Sequence, residues 1–225
     1  MKVVKYGITL SLIREEDIEM VRRWRNDPVV ANNFEYREHI TPEMQKTWFR
    51  SVYNSKNLYL IIEHQGRKMG VINLKDIDWE NKSYDGGVFL PDPKDHNTPV
   101  PAAVTFMTVE IIFRVFGWPV GYAHVLKGNK PIQSFVKQLG YELCAGQGEV
   151  NNQKYYITEE RFEKNAAKIG KAISVLFDDH GRGRFIVEQS EFEDEVVLFW
   201  QEAFLKFRPG SVPEVTGEGR IYYYD

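Results

Sequence analysis

The strongest restriction on the fold of this chain comes from three β-type segments between residues 58 and 90 and the apolar helix that follows them. LYLIIEH and MGVINLKDIDW are joined by Gln65-Gly66-Arg67, which contains the glycine that a tight hairpin turn requires. SYDGGVFL supplies a third strand, and its Gly86-Gly87 pair indicates a bulge or a close approach of backbone. Residues 102–116 are apolar on nearly every face, which is typical of a helix packed against a sheet.

Helices are expected before these strands, and alternating strands and helices after them. A short strand at residues 8–13 precedes REEDIEMVRRWRND, whose apolar residues recur at helical spacing. A second helix, VVANNF, and a third that opens at Thr41-Pro42-Glu43 come next. VGYAHVL then predicts a strand, NKPIQSFVKQLG a helix that ends at Gly140, and YELCAGQGEV and KYYIT two further strands.

The last 60 residues differ from the rest in their acidic composition, so we expect two units, residues 1–165 and 166–225. In the second unit AISVLFDD and RFIVEQ are interpreted as paired strands, followed by an amphipathic helix at residues 191–207. One stripe of that helix is apolar and consists of Phe192, Val196, Phe199, Trp200 and Phe204. A hairpin and one helix cannot bury enough area to fold alone. The stripe is therefore expected to pack on the first unit or on a second copy of the chain, as a homodimer.

Composition argues against several partners. The net charge is −3 and the Lys and Arg residues are scattered, so the basic surface that binds nucleic acid is not expected. The longest apolar stretch contains charged residues and is too short to span a membrane. A single cysteine, Cys144, and an acidic N-terminal segment fit a cytoplasmic protein. The five histidines lack the short spacings of metal ligands, so no metal site is predicted.

Several local sequences resemble the GNAT superfamily of acyl-CoA-dependent N-acetyltransferases, over about residues 5–165. IREEDIEMVRRWRNDPVV, EYREHIT and PEMQKTWF are similar to the branch that acetylates ribosomal-protein N-termini and nucleotide-linked amino sugars. VLKGNKPIQSFVKQLGYEL, with Asn129 and Leu139-Gly140-Tyr141, is similar to the family's strand, Asn and glycine-aromatic signature. The resemblance implies an α/β fold, a GNAT-like mixed central sheet flanked by helices, here with a C-terminal β-hairpin and helix extension.

The resemblance also implies acetyl-CoA as co-substrate, bound where two strands diverge and a helix N-terminus meets its pyrophosphate. The residues expected to bind it are Phe89, Leu90, His96, Asn97, Thr98, Val100 and Asn129. The family's phosphate loop, Gln/Arg-x-x-Gly-x-Gly/Ala, falls on residues 96–101, where Pro99 and Pro101 replace both glycines and offer no N–H. Val136 stands where the family often has the tyrosine that protonates the departing thiolate. The loop is therefore expected to be degenerate.

Two residues are candidates for proton transfer. Asp85 lies on the strand expected to diverge, and His124 shares a strand face with Tyr122 and Leu126. A strand-edge carboxylate and a core histidine are the alternatives for these two residues. Glu35, Tyr36 and His39 fall in the loop where relatives contact the acceptor, and a solvated polar loop is the alternative there.

Three functions are consistent with these patterns. The first is transfer of an acetyl group to a small-molecule amine, such as a nucleotide-linked amino sugar. The second is a GNAT-fold binding or scaffolding module that has lost catalysis, which Pro99, Pro101 and Val136 favour. The third is acetylation of protein N-termini.

Overall fold

A computed structural model describes residues 1–224 and shows one sheet with helices on both faces. The strands are β1 (Lys2–Lys5), β2 (Ile8–Leu12), β3 (Leu58–His64), β4 (Arg67–Asp78), β5 (Ser83–Phe89), β6 (Val120–Leu126), β7 (Glu142–Leu143), β8 (Asn152–Thr158), β9 (Gly183–Glu188), β10 (Glu214–Thr216) and β11 (Gly219–Tyr224). The helices are α1 (Ile18–Asn26), α2 (Pro28–Ala31), α3 (Pro42–Val52), α4 (Val100–Glu110), α5 (Lys130–Leu139), α6 (Glu159–Phe177) and α7 (Glu195–Phe207). Within residues 1–224 the strand order is β10-β11-β9-β1-β2-β3-β4-β5-β6-β8-β7.

The helix ends of the first 165 residues follow the predicted signals. Thr41 accepts a hydrogen bond from the Met44 N–H at the start of α3, with Pro42 as the first helical residue. Asn129 caps α5 in the same way, and Gly140 ends it with a φ of 107°. α4 continues into a π-helical turn, Ile111–Val115, so the apolar helix predicted at residues 102–116 is confirmed with a distorted last turn.

Alternation along the strands gives the sheet two different faces. On β3, Leu60 and Ile62 face the larger core, which also contains residues of α4, α6 and α7. Tyr59 and Ile61 face the other side and belong to a smaller cluster with residues of α1 and α3. This second side of the sheet, covered by α1 and α3, is called the α1–α3 face below. The hairpin of β3 and β4 around Gln65-Gly66 is confirmed.

The C-terminal extension is built differently from the predicted hairpin. AISVLFDD was interpreted as a strand, but AISVLF forms the end of α6, while RFIVE of the second predicted strand lies in β9. β9 pairs with β1 and β11, and the hairpin of the extension is β10 with β11. This segment is helical rather than extended because Phe162, Ala166 and Ile173 recur on one buried face of α6, whereas Val175 and Leu176 are each 64% exposed.

Two smaller expectations also need correction. YELCAGQGEV was interpreted as a full strand, but only Glu142–Leu143 is extended, because the chain turns at Gly146 with a φ of 75°. β1 was not indicated by the sequence pattern. The division at residue 165 falls inside α6, so the two-unit organisation stays a prediction.

The apolar stripe of α7 packs within its own chain. Trp200 and Phe204 are each 2% exposed. Phe204 stacks on Phe185 of β9 at 4.8 Å, and Trp200 meets Trp79 at 5.5 Å between ring centroids. The first contact lies within the extension, and the second joins α7 to the turn that follows β4. A homodimer stays a prediction, and the stripe that suggested it is used inside the chain.

The first testable prediction concerns Trp200. Replacing a buried tryptophan with alanine leaves a large cavity, so Trp200→Ala should lower the free energy of unfolding by about 3–5 kcal/mol. Chemical denaturation followed by circular dichroism measures it. Val212→Ala is the control, because Val212 is 84% exposed and its change should stay within about 0.5 kcal/mol. Equal effects of the two substitutions would show that α7 is only loosely attached.

Candidate active site

The sheet opens between β5 and β6. These two strands are parallel and pair only through Asp85 with Tyr122 and Gly86 with Ala123. Beyond these pairs β5 continues alongside β4 alone, and β6 continues alongside β8 alone. The strands therefore diverge and leave a gap whose closed end, called the root below, lies at residues 85–86 and 122–123.

Asp85 and His124 meet at this root. Asp85 Oδ2 lies 2.5 Å from His124 Nδ1, and the two side chains are 14% and 32% exposed. In the tautomer that carries its proton on Nδ1, beside this carboxylate, Nε2 has the lone pair of the imidazole. The geometry therefore provides a group able to accept a proton at the edge of the gap. The structure places these two candidate residues in contact, and their catalytic role stays a prediction.

The loop after α2 runs across the gap. Asn33 accepts a hydrogen bond from Asn129 at 3.2 Å, and Glu35 accepts one from Asn152 at 3.1 Å, both on the β6 and β8 side. Phe34, between them, packs edge-on against Phe89 of β5, with ring centroids 5.5 Å apart. The loop thus touches both walls of the gap.

The three residues predicted to contact the acceptor occupy different positions in this loop. Glu35 holds Asn152 at the edge of the gap. Tyr36 is exposed, and its carbonyl accepts a hydrogen bond from Arg25. His39 is exposed on the same loop. Their role as acceptor ligands stays a prediction.

The segment before α4 uses most of its polar groups internally. His96 Nε2 donates to the carbonyl of Leu90 at 2.8 Å, and the Thr98 hydroxyl donates to the carbonyl of Asp95 at 2.7 Å. Arg67 holds the Asp95 carboxylate through two hydrogen bonds of 2.9 and 2.6 Å, which fixes the turn. Of the residues predicted to bind coenzyme, Asn97 is the exposed side chain of this turn that makes no hydrogen bond within residues 1–224.

The N-terminus of α4 offers few free amides. The N–H of Val100 points to the Thr98 hydroxyl at 3.4 Å, and the N–H of Ala103 donates to the carbonyl of Pro99. Pro101 has no N–H, which leaves Ala102 as the amide donor of the first turn. This helix end is therefore a weaker anion site than an ordinary one.

An acyl-CoA molecule fits this site in part. The gap suits an extended arm, because β5 beyond Gly86 has no strand partner on the β6 side and every second residue turns its backbone groups into the gap. Phe89 ends this strand and Leu90 follows it, at the outer end of the gap. The pyrophosphate would meet the depleted first turn of α4. Val136 is buried in the apolar core and has no proton to give.

Three residues of the α1–α3 face were missed by the sequence analysis. Arg25, Tyr59 and Asn73 come from α1, β3 and β4. Tyr59 pairs with Asn73, and Asn73 pairs with Gly87, so these residues form a row across the sheet next to Asp85. The alternation of β3 could have revealed Tyr59, because it lies out of phase with the buried Leu58 and Leu60.

Comparison with known proteins agrees with the fold. A family model described as an acetyltransferase (GNAT) domain matches residues 8–142. The chain belongs to the GNAT acetyltransferase family. A search of curated protein sequences finds no match.

Solved GNAT structures share the fold of this chain. "Apo FdhC", a nucleotide-linked sugar GNAT, is 20% identical with a TM-score of 0.63, covering 76% of this chain and 97% of its own. Spermidine N-acetyltransferase from Vibrio cholerae, in complex with CoA and spermine, is 13% identical with a TM-score of 0.62, covering 70% and 98%. Aminoglycoside acetyltransferase AAC(6')-Ib, in complex with coenzyme A, is 17% identical with a TM-score of 0.58, covering 70% and 98%.

Two searches of the coordinates bear on other kinds of site. Within residues 1–224, no helix has the length and apolarity needed to cross a membrane. In the same part of the chain, no three His, Cys, Asp or Glu side chains are grouped as a metal site would need.

The second prediction concerns the depleted helix end. Pro101→Ala adds one N–H to the first turn of α4, and a hydrogen bond to a charged group contributes about 1.5–3 kcal/mol. The dissociation constant of coenzyme A, measured by titration calorimetry, should therefore fall by about 10- to 100-fold. Pro213→Ala, in the loop before β10, serves as the control and should leave the affinity unchanged. Equal affinities of both variants would place the pyrophosphate elsewhere.

Proposed function

We propose that this protein transfers an acetyl group from acetyl-CoA to a primary amine of a small molecule. The observation that carries the proposal is the Asp85 and His124 pair at the root of the gap. A base at this point can reach an amine on the α1–α3 face while the thioester arm occupies the gap. The family assignment supports the chemistry, and a nucleotide-linked amino sugar remains our proposed kind of acceptor.

In the proposed reaction His124 Nε2 takes a proton from the acceptor ammonium, and Asp85 stabilises the imidazolium that results. The free amine then attacks the thioester carbonyl carbon, forming a C–N bond, and the C–S bond breaks to release the thiolate. The second proton of the amine nitrogen passes to the thiolate, directly or through water, because Val136 cannot supply one. The products are an amide, free coenzyme A and one proton held by His124.

The remaining predicted residues have proposed binding roles. Coenzyme contacts are proposed for Phe89, Leu90, His96, Asn97, Thr98, Val100 and Asn129. Acceptor contacts are proposed for Glu35, Tyr36 and His39. The cytoplasm is the proposed location, on the ground of the single cysteine, Cys144.

The third prediction tests the proton-transfer pair. His124→Gln should lower kcat by about 10² to 10⁴, which is the usual contribution of a positioned base, and Asp85→Asn should lower it by removing the group that orients the ring. Release of free thiol from acetyl-CoA in the presence of a panel of primary amines measures the rate. His180→Ala is the matched control, because His180 is exposed in the loop before β9. Full activity in both site variants would assign the base elsewhere.

A binding or scaffolding function is the second candidate, favoured by the internal hydrogen bonds of His96 and Thr98 and the missing amide of Pro101.

The fourth prediction separates the enzyme from the scaffold. If the protein is an enzyme, calorimetry with acetyl-CoA and with desulfo-CoA should give measurable heat, and both ligands should raise the melting temperature. No heat and no thermal shift at millimolar ligand would remove the enzyme function and leave the scaffold.

A further inference from the structure

Arg25 is a half-buried arginine whose charge is not paired. It lies in the last turn of α1, and its guanidinium carbon stacks 3.5 Å from the centroid of the Phe34 ring. One terminal nitrogen points to the carbonyl of Tyr36 at 3.4 Å, whereas Nε is shielded from solvent and has no hydrogen-bond partner. Burial lowers the pKa of this guanidinium, with the tyrosine hydroxyl of Tyr59 as its ionisable neighbour.

Three other half-buried arginines, Arg14, Arg22 and Arg161, have carboxylate partners. Arg208 and Arg220 are also half-buried and have no ion pair within residues 1–224, but Arg25 differs from both in its shielded Nε without a hydrogen-bond partner. Within residues 1–224 no carboxylate lies within ion-pair distance of Arg25. A shielded cation without a partner is unfavourable, and an anion from outside the chain would compensate it. The planar guanidinium is suited to phosphate and carboxylate, which it can bind with two parallel hydrogen bonds.

Arg25 is connected through Phe34 to the strand that carries Asp85, one of the two residues proposed for proton transfer. Its stacking partner Phe34 packs on Phe89, which lies on the same face of β5 as Asp85. Four residues of strand separate Phe89 from Asp85, a distance of about 13 Å. The row of Tyr59 and Asn73 is level with Gly87, midway between Asp85 and Phe89 on β5, and burial raises the pKa of Tyr59. A small molecule that lies along β5 could therefore extend from the proposed base toward Phe34, on which the guanidinium stacks.

The floor between these two points is polar and has an unsatisfied group. Asn73 lies in the row between Tyr59 and Gly87, and its Oδ1 is buried without a hydrogen-bond partner. Its side chain covers Gly87, where a Cβ would lie 3.4 Å from the amide. A ligand hydroxyl could donate a hydrogen bond to this Oδ1, whereas an aliphatic chain could not.

We propose that Arg25 selects an acceptor that carries an oxyanion, phosphate or carboxylate, at the end of the molecule remote from its amine. The inference rests on the proposed function, because the amine is placed by Asp85 and His124. It names the acceptor class as amines with an acidic group, and the buried Asn73 Oδ1 favours hydroxylated members of that class. Polyamines and other polycations are excluded as good substrates, because the same guanidinium repels them.

Matched pairs of acceptors test the proposal. Glucosamine phosphate is compared with glucosamine, and aminohexanoate with hexylamine, so that each pair differs by the acidic group. In the wild-type protein the acidic member of at least one pair should have a kcat/KM at least tenfold higher than its neutral partner. A preference in the first pair identifies a phosphate, and a preference in the second identifies a carboxylate. Spermidine, used as a cationic acceptor, should be the poorest.

Arg25→Gln should remove the preference. We expect its kcat/KM for the acidic acceptor to fall at least tenfold, with a change of less than threefold for the neutral partner. Arg23→Gln is the matched control, because Arg23 lies on the same helix, carries the same charge and is exposed. That variant should keep the wild-type ratio. A ratio that is the same in wild type and Arg25→Gln, or a preference for spermidine, would overturn the proposal.

Binding measurements separate this proposal from the proposed function. Thermal shift with glucosamine phosphate and with aminohexanoate requires no turnover, and at least one should stabilise the wild-type protein more than Arg25→Gln. Stabilisation that depends on Arg25, in a protein without acetyl transfer, would support the anion site and remove the enzyme function. Acetyl transfer with no dependence of binding or selectivity on Arg25 would do the reverse.

Discussion

The site depends on one restriction in the sheet, the very short pairing between β5 and β6. Within residues 1–224 these two strands are parallel, whereas all other neighbouring strands of the sheet are antiparallel. β5 and β6 are paired at two residue pairs only. Gly121 makes this closeness possible, because a Cβ there would lie 2.5 Å from the buried ring of Tyr84. On the opposite face the same pairing brings Asp85 beside His124. One glycine under a tyrosine therefore supports both the gap and the proton-transfer pair.

Much of the fold of the first 165 residues could be predicted from local signals. Caps, Gly140 and the Gln65-Gly66 turn are backbone requirements that a sequence displays directly. The extension was harder because AISVLF has the apolar, β-branched composition of a strand. Its place in α6 is decided by Phe162 and Ala166, which precede the segment and share its buried face. β1 has four residues, too few for a period to be recognised.

Some residues of the candidate site could be predicted from the sequence, and others could not. Asp85 and His124 could be proposed from residue type and from strand alternation, and the structure places them in contact. Arg25 could not, because REEDIEMVRRWRND contains several arginines with the same local pattern. What distinguishes Arg25 is the partner it lacks, and a missing ion pair is visible only when the surrounding elements are in place. The degenerate loop was visible early, since Pro101 removes an amide whatever the fold.

The position of β9 between β1 and β11 affects how the chain is made. β1 leaves the ribosome long before its second neighbour, Gly183–Glu188, has been made. Until those residues emerge, one edge of β1 carries open N–H and C=O groups beside the apolar side chains of Val3 and Met1. Such an edge can pair with a strand of another nascent chain. The separation of β1 and β9 in the sequence therefore creates an interval during synthesis in which this edge is open to aggregation.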